Sequence, residues 1–342
     1  MDDADPALSS SASRAGIRDV ARLADVSTAT VSRALATPDR VSPEARARVA
    51  AAIDRLGYVP NPAARTLRSQ KSRMVLVVLP DLANIFFSVI LRGIEETLFE
   101  AGYGMIIGNL DGSPEKEARF AGLSATGQVD GGIFLNGRLF GQGPGAPGRT
   151  GSPAVALCEA IPAPIPQVGV DNRTAAAAMT RHLLDLGHRR VGYVTGPAGN
   201  VLERERFAGY RDALASSGLP FDPALVFPGD YTLEAGARMG EKLPAGVSAV
   251  FSSNDAMAIG LMRALIGRGV RVPGEVSVAG FDDIEYAAVA EPPLTTVRQP
   301  RRDLGRAGAA VLLDLLAGRS APARTLLPTE LVLRGSTASP PA

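Results

Sequence analysis

The spacing of apolar positions changes once along this chain, at about residue 74. Between residues 17 and 59 they recur every three or four positions, the period of short amphipathic helices. IRDVARLA puts Ile17, Val20, Ala21 and Ala24 on one face of a first helix. A tight turn at Asp25-Val26 follows, and Ser27 is placed to cap a second helix, TATVSRAL, by accepting an orphan backbone N–H. In that helix the pattern turns Val31, Ala34 and Leu35 inward and leaves Thr28, Ala29, Ser32 and Arg33 outward. A third helix begins at Ser42 with Pro43 in its first position and Glu44 in its first turn, and runs to a stop at Gly57. Beyond Tyr58, Pro60 and Pro62 break the periodicity. The next stretch, AARTLRS, has room for about two helical turns, too few to be stable alone in water.

From Met74 onward short, nearly continuous apolar runs alternate with amphipathic helical patterns. MVLVVLP, GMIIGN, GGIFLN, PAVALC and PQVGV come first, and VGYVTG, AVFSSN and VSVAGFDD follow Asp171. Between them lie patterns such as SVILRGIEETLFEAG, TAAAAMTRHLLDLG and DAMAIGLMRALIGRG, each closing on glycine. Continuous apolar strands alternating with helices imply parallel sheets covered on both faces. The fold class expected is therefore a small all-α helix-turn-helix head joined to an α/β body of two doubly wound parallel-sheet subdomains. A Gly/Pro-rich stretch, LNGRLFGQGPGAPGRTGSP, reads as a surface connection after the third strand.

Composition supports this division. With 342 residues, 46% of them hydrophobic, the chain has material for two or three compact units, and no apolar run reaches the roughly 20 residues that span a bilayer. Residues 1 to 15 are acidic, small and polar, which predicts a disordered tail; a secretory signal would need a basic start and an apolar stretch. Cys158 is the single cysteine, so no internal disulfide forms and a cytoplasmic location is expected. Net charge is +1, yet residues 14 to 73 carry twelve Lys/Arg against five Asp/Glu. A basic head on a near-neutral body suits a polyanion.

The chemistry of the outward positions gives that polyanion a form. Two helices joined by so short a turn, with small side chains opening the second, match a recognition helix in the major groove of double-stranded DNA. Arg33 can fork onto guanine O6 and N7; Thr28 and Ala29 let the helix approach base edges, and Ser32 lies on the same face. Arg18, Arg22, Arg40, Tyr58 and Asn61 suit phosphate contacts, which position without specifying. Leu67, apolar among Arg65, Arg68, Lys71 and Arg73, is either a linker residue resting on the body or a wedge for the minor groove.

In open α/β sheets ligands bind beyond the carboxyl ends of the strands. Those ends carry PDLANIFF, VGVDN, GPAGNVLERERFAGY, GDYTLE, SSNDA and GFDD. Asn84, Asp171, Asn172, Arg206, Tyr231, Asn254 and Asp282 are expected to line one cleft, with Phe86, Phe87 and Tyr231 stacking on a ring. Enzyme chemistry finds little support. The two histidines, His182 and His188, flank a helix end; Cys158 has no local base; and no P-loop or GxSxG elbow occurs. Neither a metal nor a cofactor is expected.

The stretches IRDVARLADVSTATVSRAL and VSPEARARVAAAIDRLGYVPNPAARTL resemble the lactose-repressor/galactose-repressor (LacI/GalR) family, and the likeness continues to about residue 336. Asp25 stands where many members have glycine, and Ala29 where some have larger polar side chains. The resemblance implies base reading by Thr28, Ala29 and Arg33, a hinge role for Leu67, and a periplasmic-binding-protein-like body crossed three times by the chain. It also implies effector contact at Arg206, Asn254 and Asp282. VSTATVSRAL with PDRVS, PDLANIFF, GDYTLEAG and RGST are most similar to cytidine-responsive members, which implies a nucleoside effector, although sugar-responsive members share much of this. The function implied is a repressor of transcription on a pseudo-palindromic operator, allosterically controlled by a nucleoside or sugar; a ligand-dependent activator or co-repressor-type regulator would use the same parts. No heptad pattern follows residue 336, so a homodimer is expected. The domains expected are a head at 16–59, a hinge at 60–73, and a body at 74–336 with a short tail after it. Within the body one lobe comprises about 74–170 plus 300–322, the other 171–296 plus 325–336.

Overall fold

The computed structural model describes residues 15–59, 71–139 and 152–341, in two compact units divided after Lys71. Asn61, Leu67 and most of the predicted hinge lie outside the described residues.

The head consists of α1 (Ile17–Leu23), α2 (Thr28–Ala36), a 3-10 turn over Pro38–Arg40, and α3 (Pro43–Leu56). Their ends form as the sequence dictates. The Ser27 hydroxyl accepts from Thr30 N at 3.0 Å, and the Ser42 hydroxyl from Ala45 N at 3.3 Å. Gly57 closes α3 at φ 58°, a left-handed conformation that costs glycine little. Asp25 takes φ 50° in the turn between α1 and α2, one of the few non-glycine residue types that tolerate it. Val20, Ala21, Ala24, Val31, Val49 and Ala52 make the core. Leu35 departs from expectation. It is 42% exposed and Ala34 half-buried, because three short helices enclose only a narrow stripe of α2.

In the body, β1 (Met74–Leu79), β2 (Gly104–Asn109), β3 (Gly131–Phe134), β4 (Ala154–Leu157), β5 (Gln167–Val170) and β11 (Arg324–Leu327) form one parallel sheet, ordered β11-β5-β4-β3-β1-β2. A second parallel sheet has the order β7-β6-β8-β9, from β6 (Val191–Val194), β7 (Val226–Phe227), β8 (Ala249–Ser252) and β9 (Ser277–Ala279). Each sheet carries an apolar cluster on both faces, which is why its strands read as continuous apolar runs.

The helices of the first lobe are α4 (Phe86–Glu100) and α5 (Pro114–Ala125). Those of the second are α6 (Asn172–Asp185), α7 (Val201–Ser216), α8 (Leu233–Glu241), α9 (Asp255–Gly267) and the short α10 (Glu285–Val289). After β10 (Thr296–Arg298), α11 (Arg301–Leu316) returns to pack along α4, where Gly93 and Gly305 bring the two backbones together. The chain passes between lobes three times: after Val170, after Arg298, and between Leu327 and β12 (Glu330–Val332), which pairs antiparallel with β10.

Two expected boundaries need correction. Residues 325–327, expected in the second lobe, belong to the first, since Arg324–Leu327 pair in parallel with Gln167–Val170. An edge strand of alternating exposure carries no mark of which sheet it joins, so its pattern alone cannot assign it. Residues 337 and 338 are not tail: Ala338 N donates to Ser277 Oγ at 3.0 Å, and Thr337 Oγ1 lies 3.3 Å from His182 Nε2. His188 is fully buried, its ring nitrogens 2.8 Å from Ser248 Oγ and 2.9 Å from Ala338 O. Both histidines thus fasten the C-terminal segment, and burial holds their pKa values below the usual range.

Candidate functional site

At the carboxyl ends of the strands, loops from both lobes enclose a cavity of about 510 Å³. The first lobe contributes Asn84, Phe86 and Phe87 after β1, Asn136 after β3, and Cys158 and Glu159 after β4. The second lobe brings Asn200 and Arg206 from the start of α7, Asp230 and Tyr231 after β7, Asn254 after β8, and Asp282 after β9.

Arg206 is the anchor of the polar wall. It is 2% exposed, and each of its three guanidinium nitrogens has a partner. Nε donates to Asn172 Oδ1 at 2.9 Å, Nη1 to the Ser253 carbonyl at 2.5 Å, and Nη2 faces Asp282 Oδ1 at 3.5 Å. Its Cζ also lies over the Phe281 ring, 3.8 Å from the centroid, a cation–π contact strengthened by burial. Asp282 accepts a further bond from Gln299 Nε2 at 2.8 Å. Burial pushes its carboxyl up to about 6, against the opposing pull of Arg206. Its backbone, at φ 120°, is in a region that ordinary side chains rarely adopt, so the packing around it must hold it there.

The remaining predicted residues divide by position. Asn254 caps α9 through Met257 N at 3.0 Å and steadies the Tyr231 carbonyl at 3.1 Å, while both residues line the cavity. Phe86 and Phe87 meet edge to face, with centroids 5.3 Å apart, and the Asn84 side chain accepts from Phe86 N at 3.0 Å in the turn before their helix. Asn172 stands behind the wall and orients Arg206. Asp171 is not part of the wall: it caps α6, accepting from Thr174 N at 2.9 Å and Thr174 Oγ1 at 2.8 Å, bonds that hold its carboxyl below the usual range.

Sequence reasoning missed Asn136, Glu159, Asn200 and Asp230 on the wall. Their signal was available, since each follows a strand or opens a helix at a carboxyl end. Cys158, considered only as a nucleophile, also faces the cavity, with a thiol that burial holds well above its usual range and so unreactive. Chemically this wall offers a carboxylate paired with a guanidinium, several amides and two aromatic rings, a set suited to a polyhydroxylated ligand that also carries a flat ring.

On the head, Thr28, Ala29 and Arg33 are exposed along one side of α2 with Ser32 half-buried between them. Arg33 Nε rests on the Ala29 carbonyl at 3.3 Å. Arg18, Arg22 and Arg40 are exposed, and Arg22 lies 3.4 Å from Asp19. Tyr58 is half-buried against the head core, so its ring has a packing role as well.

A helix-turn-helix head and a two-lobed, cleft-bearing α/β body together define a DNA-binding regulator that senses a small molecule. The chain belongs to the LacI family. Residues 16–61 match the bacterial regulatory proteins of the lacI family, and residues 180–337 match the periplasmic binding protein-like domain. It is 39% identical over 332 residues to the HTH-type transcriptional repressor CytR of Escherichia coli K12, covering 96% of this chain and 97% of that repressor. It is also similar to the lac repressor dimer bound to operator and the anti-inducer ONPF, with a TM-score of 0.84, 29% identity, and coverage of 95% of this chain and 100% of that one. A complex of the regulator CelR with cellobiose gives a TM-score of 0.70 at 33% identity, covering 94% and 100%. Among the described residues no helix is long and apolar enough to cross a membrane, and no group of three His, Cys, Asp or Glu is placed to hold a metal ion.

Proposed function

We propose that this protein is a cytoplasmic, homodimeric transcriptional repressor that binds a pseudo-palindromic operator and is controlled by a nucleoside or sugar held in the cleft. The observation that carries this reading is the buried Arg206–Asp282 pair, set in the wall of a cavity to which both lobes contribute. A ligand gripped from both sides binds one arrangement of the lobes better than another, and that differential affinity is what allostery requires. Sequence motifs such as GDYTLEAG and RGST favour the nucleoside, and the aromatic pair beside a polar wall supports it. No catalytic role is assigned to any residue.

A thermal-shift screen of nucleosides and sugars tests the cleft. A ligand at a hundred times its Kd should stabilise the body by about 2.7 kcal/mol. The same ligand should change operator affinity; a stabilising ligand that leaves DNA binding untouched would remove the regulatory role. On the head, Arg33→Ala is expected to cost about 1–3 kcal/mol of operator binding and to relax selectivity at one base pair in each half-site. Anisotropy titrations against operators varied at single positions measure this, and unchanged selectivity would deny Arg33 the role of base reader.

A further inference from the structure

Among the described groups lining the cleft, the Asn136 amide of the first lobe and the Tyr231 hydroxyl of the second are buried without a hydrogen-bond partner. The amide of Asn136 has Oδ1 and Nδ2 buried with no hydrogen-bond partner among the described residues. A buried amide left unpaired costs free energy, so a ligand that meets both its donor and its acceptor relieves that cost. Glu159 is 9% exposed, and its Oε1 accepts one bond, from Asn200 Nδ2 across the cleft at 3.2 Å. Its other oxygen occupies the space that a side chain at Gly137, next to Asn136, would need. Asn136 and Glu159 therefore stand together on the cavity wall, in the lobe opposite the engaged Arg206.

We propose that Glu159 and Asn136 read the heterocycle of the effector and select a nucleoside whose ring carries an exocyclic amino group. The inference rests on the nucleoside reading above. A carboxylate only accepts hydrogen bonds, so it rewards an amino N–H and opposes a carbonyl oxygen in the same place. The adjacent amide supplies one donor and one acceptor in a plane, which suits a ring nitrogen beside that amino group. Phe86 and Phe87 give the same lobe an aromatic surface for the flat ring. The Arg206–Asp282 end, with Asn254 and Tyr231, is left for the sugar hydroxyls.

This selectivity depends on pH. Burial pushes the Glu159 carboxyl up to about 7, while its bond from Asn200 and the positive charge of Arg206 pull it down. Around it stand Arg206 and Glu205 on α7, Arg324 on β11, Tyr231 after β7 and Asp282 after β9. Above about pH 7 the carboxylate accepts from an amino group; below it the carboxylic acid gains an O–H and donates to a carbonyl as readily. The preference for the amino ring thus falls as pH falls.

The test is calorimetric titration of the whole chain with cytidine against uridine, and adenosine against inosine, at pH 8 and pH 6. The amino member of at least one pair should bind about tenfold more tightly at pH 8, with the ratio shrinking to about threefold or less at pH 6. In Glu159→Gln, whose amide can turn to present either group, the ratio should lie within about threefold at both pH values. Because Asp282 also titrates in this range, the part due to Glu159 is the difference between the native chain and Glu159→Gln. Equal affinities for both members in the native chain at pH 8, or a native ratio retained by Glu159→Gln, would overturn the inference while leaving a nucleoside effector standing. If no nucleoside binds the native chain and a sugar does, the nucleoside reading falls and the inference with it. The pH dependence of the native chain tests the idea without any variant.

Discussion

Arg206→Ala abolishes the response to effector and lowers the stability of the body by about 3–5 kcal/mol, the usual result of removing one partner from a buried ion pair. The loss has three sources in the geometry. The Asp282 carboxylate loses its counter-charge, the Ser253 carbonyl loses its donor, and Asn172 loses the group it orients. Asp282 already has a carboxyl raised to about 6, so its native form binds more protons than the unfolded chain between about pH 4 and 6. Stability contributed by this group therefore falls as pH rises through that window. Without Arg206 the carboxyl should rise further and the decline should extend to higher pH. Urea melts at pH 5 and pH 8 measure both effects, with the larger loss at pH 8. Arg206→Lys retains the charge without the fork, and should fold better than Arg206→Ala while still binding effector weakly. An Arg206→Ala protein that matches the native chain in stability and in effector response would show that the pair is not the anchor.

Gly305→Val acts on the other lobe. α4 and α11 cross with their backbones in contact, and a side chain at residue 305 would run into the carbonyl of Ile90; Gly93 faces the Arg302 carbonyl in the same way. Backbone cannot yield as a side-chain end does, so the helices must part along a face that buries Ile90, Ile94, Leu304 and Leu312. Overpacking commonly costs 1–3 kcal/mol, and this geometry places the expected loss at about 3 kcal/mol or more. For a body of this size that lowers the melting temperature by roughly 6–12 °C. Differential scanning calorimetry reads it directly; a shift under about 2 °C would mean that the crossing is looser than its contacts imply.

Local signals carried much of this fold. Ser27, Ser42 and Gly57 mark helix ends by chemistry that acts within one turn, and each is found in that role. Unbroken apolar runs such as MVLVVL announce strands buried on both faces, because no alternation is needed there. What escaped depends on partners distant in sequence. Leu35 repeats the helical period, yet the head is too small to cover it. Residues 324–327 form a strand that joins the first sheet because Gln167–Val170 offer it a free edge, a fact of topology. In the site, Arg206 and Asp282 are visible because GPAGNVLERERFAGY and GFDD lie beyond the carboxyl ends of strands, and both residues line the cavity. Asp171 was misplaced because an aspartate at a strand end serves equally as ligand or as helix cap, and here Thr174 takes it. Glu159 follows a strand end, which marks it as a wall candidate, but its burial opposite Asn200 depends on a residue 41 positions away.

The three passages of chain between the lobes also govern the order in which the protein is made. Neither lobe is a continuous stretch of sequence. The first lacks α11 and its edge strand until Leu327 has been synthesised, and the second lacks the strand that pairs with β10 until Val332 has followed. Contacts of such long sequence separation form late, after the chain that closes them exists. The head ends its third helix at Leu56 and needs nothing downstream for its own core. On the ribosome, the part that grips DNA is therefore assembled long before the part that governs it.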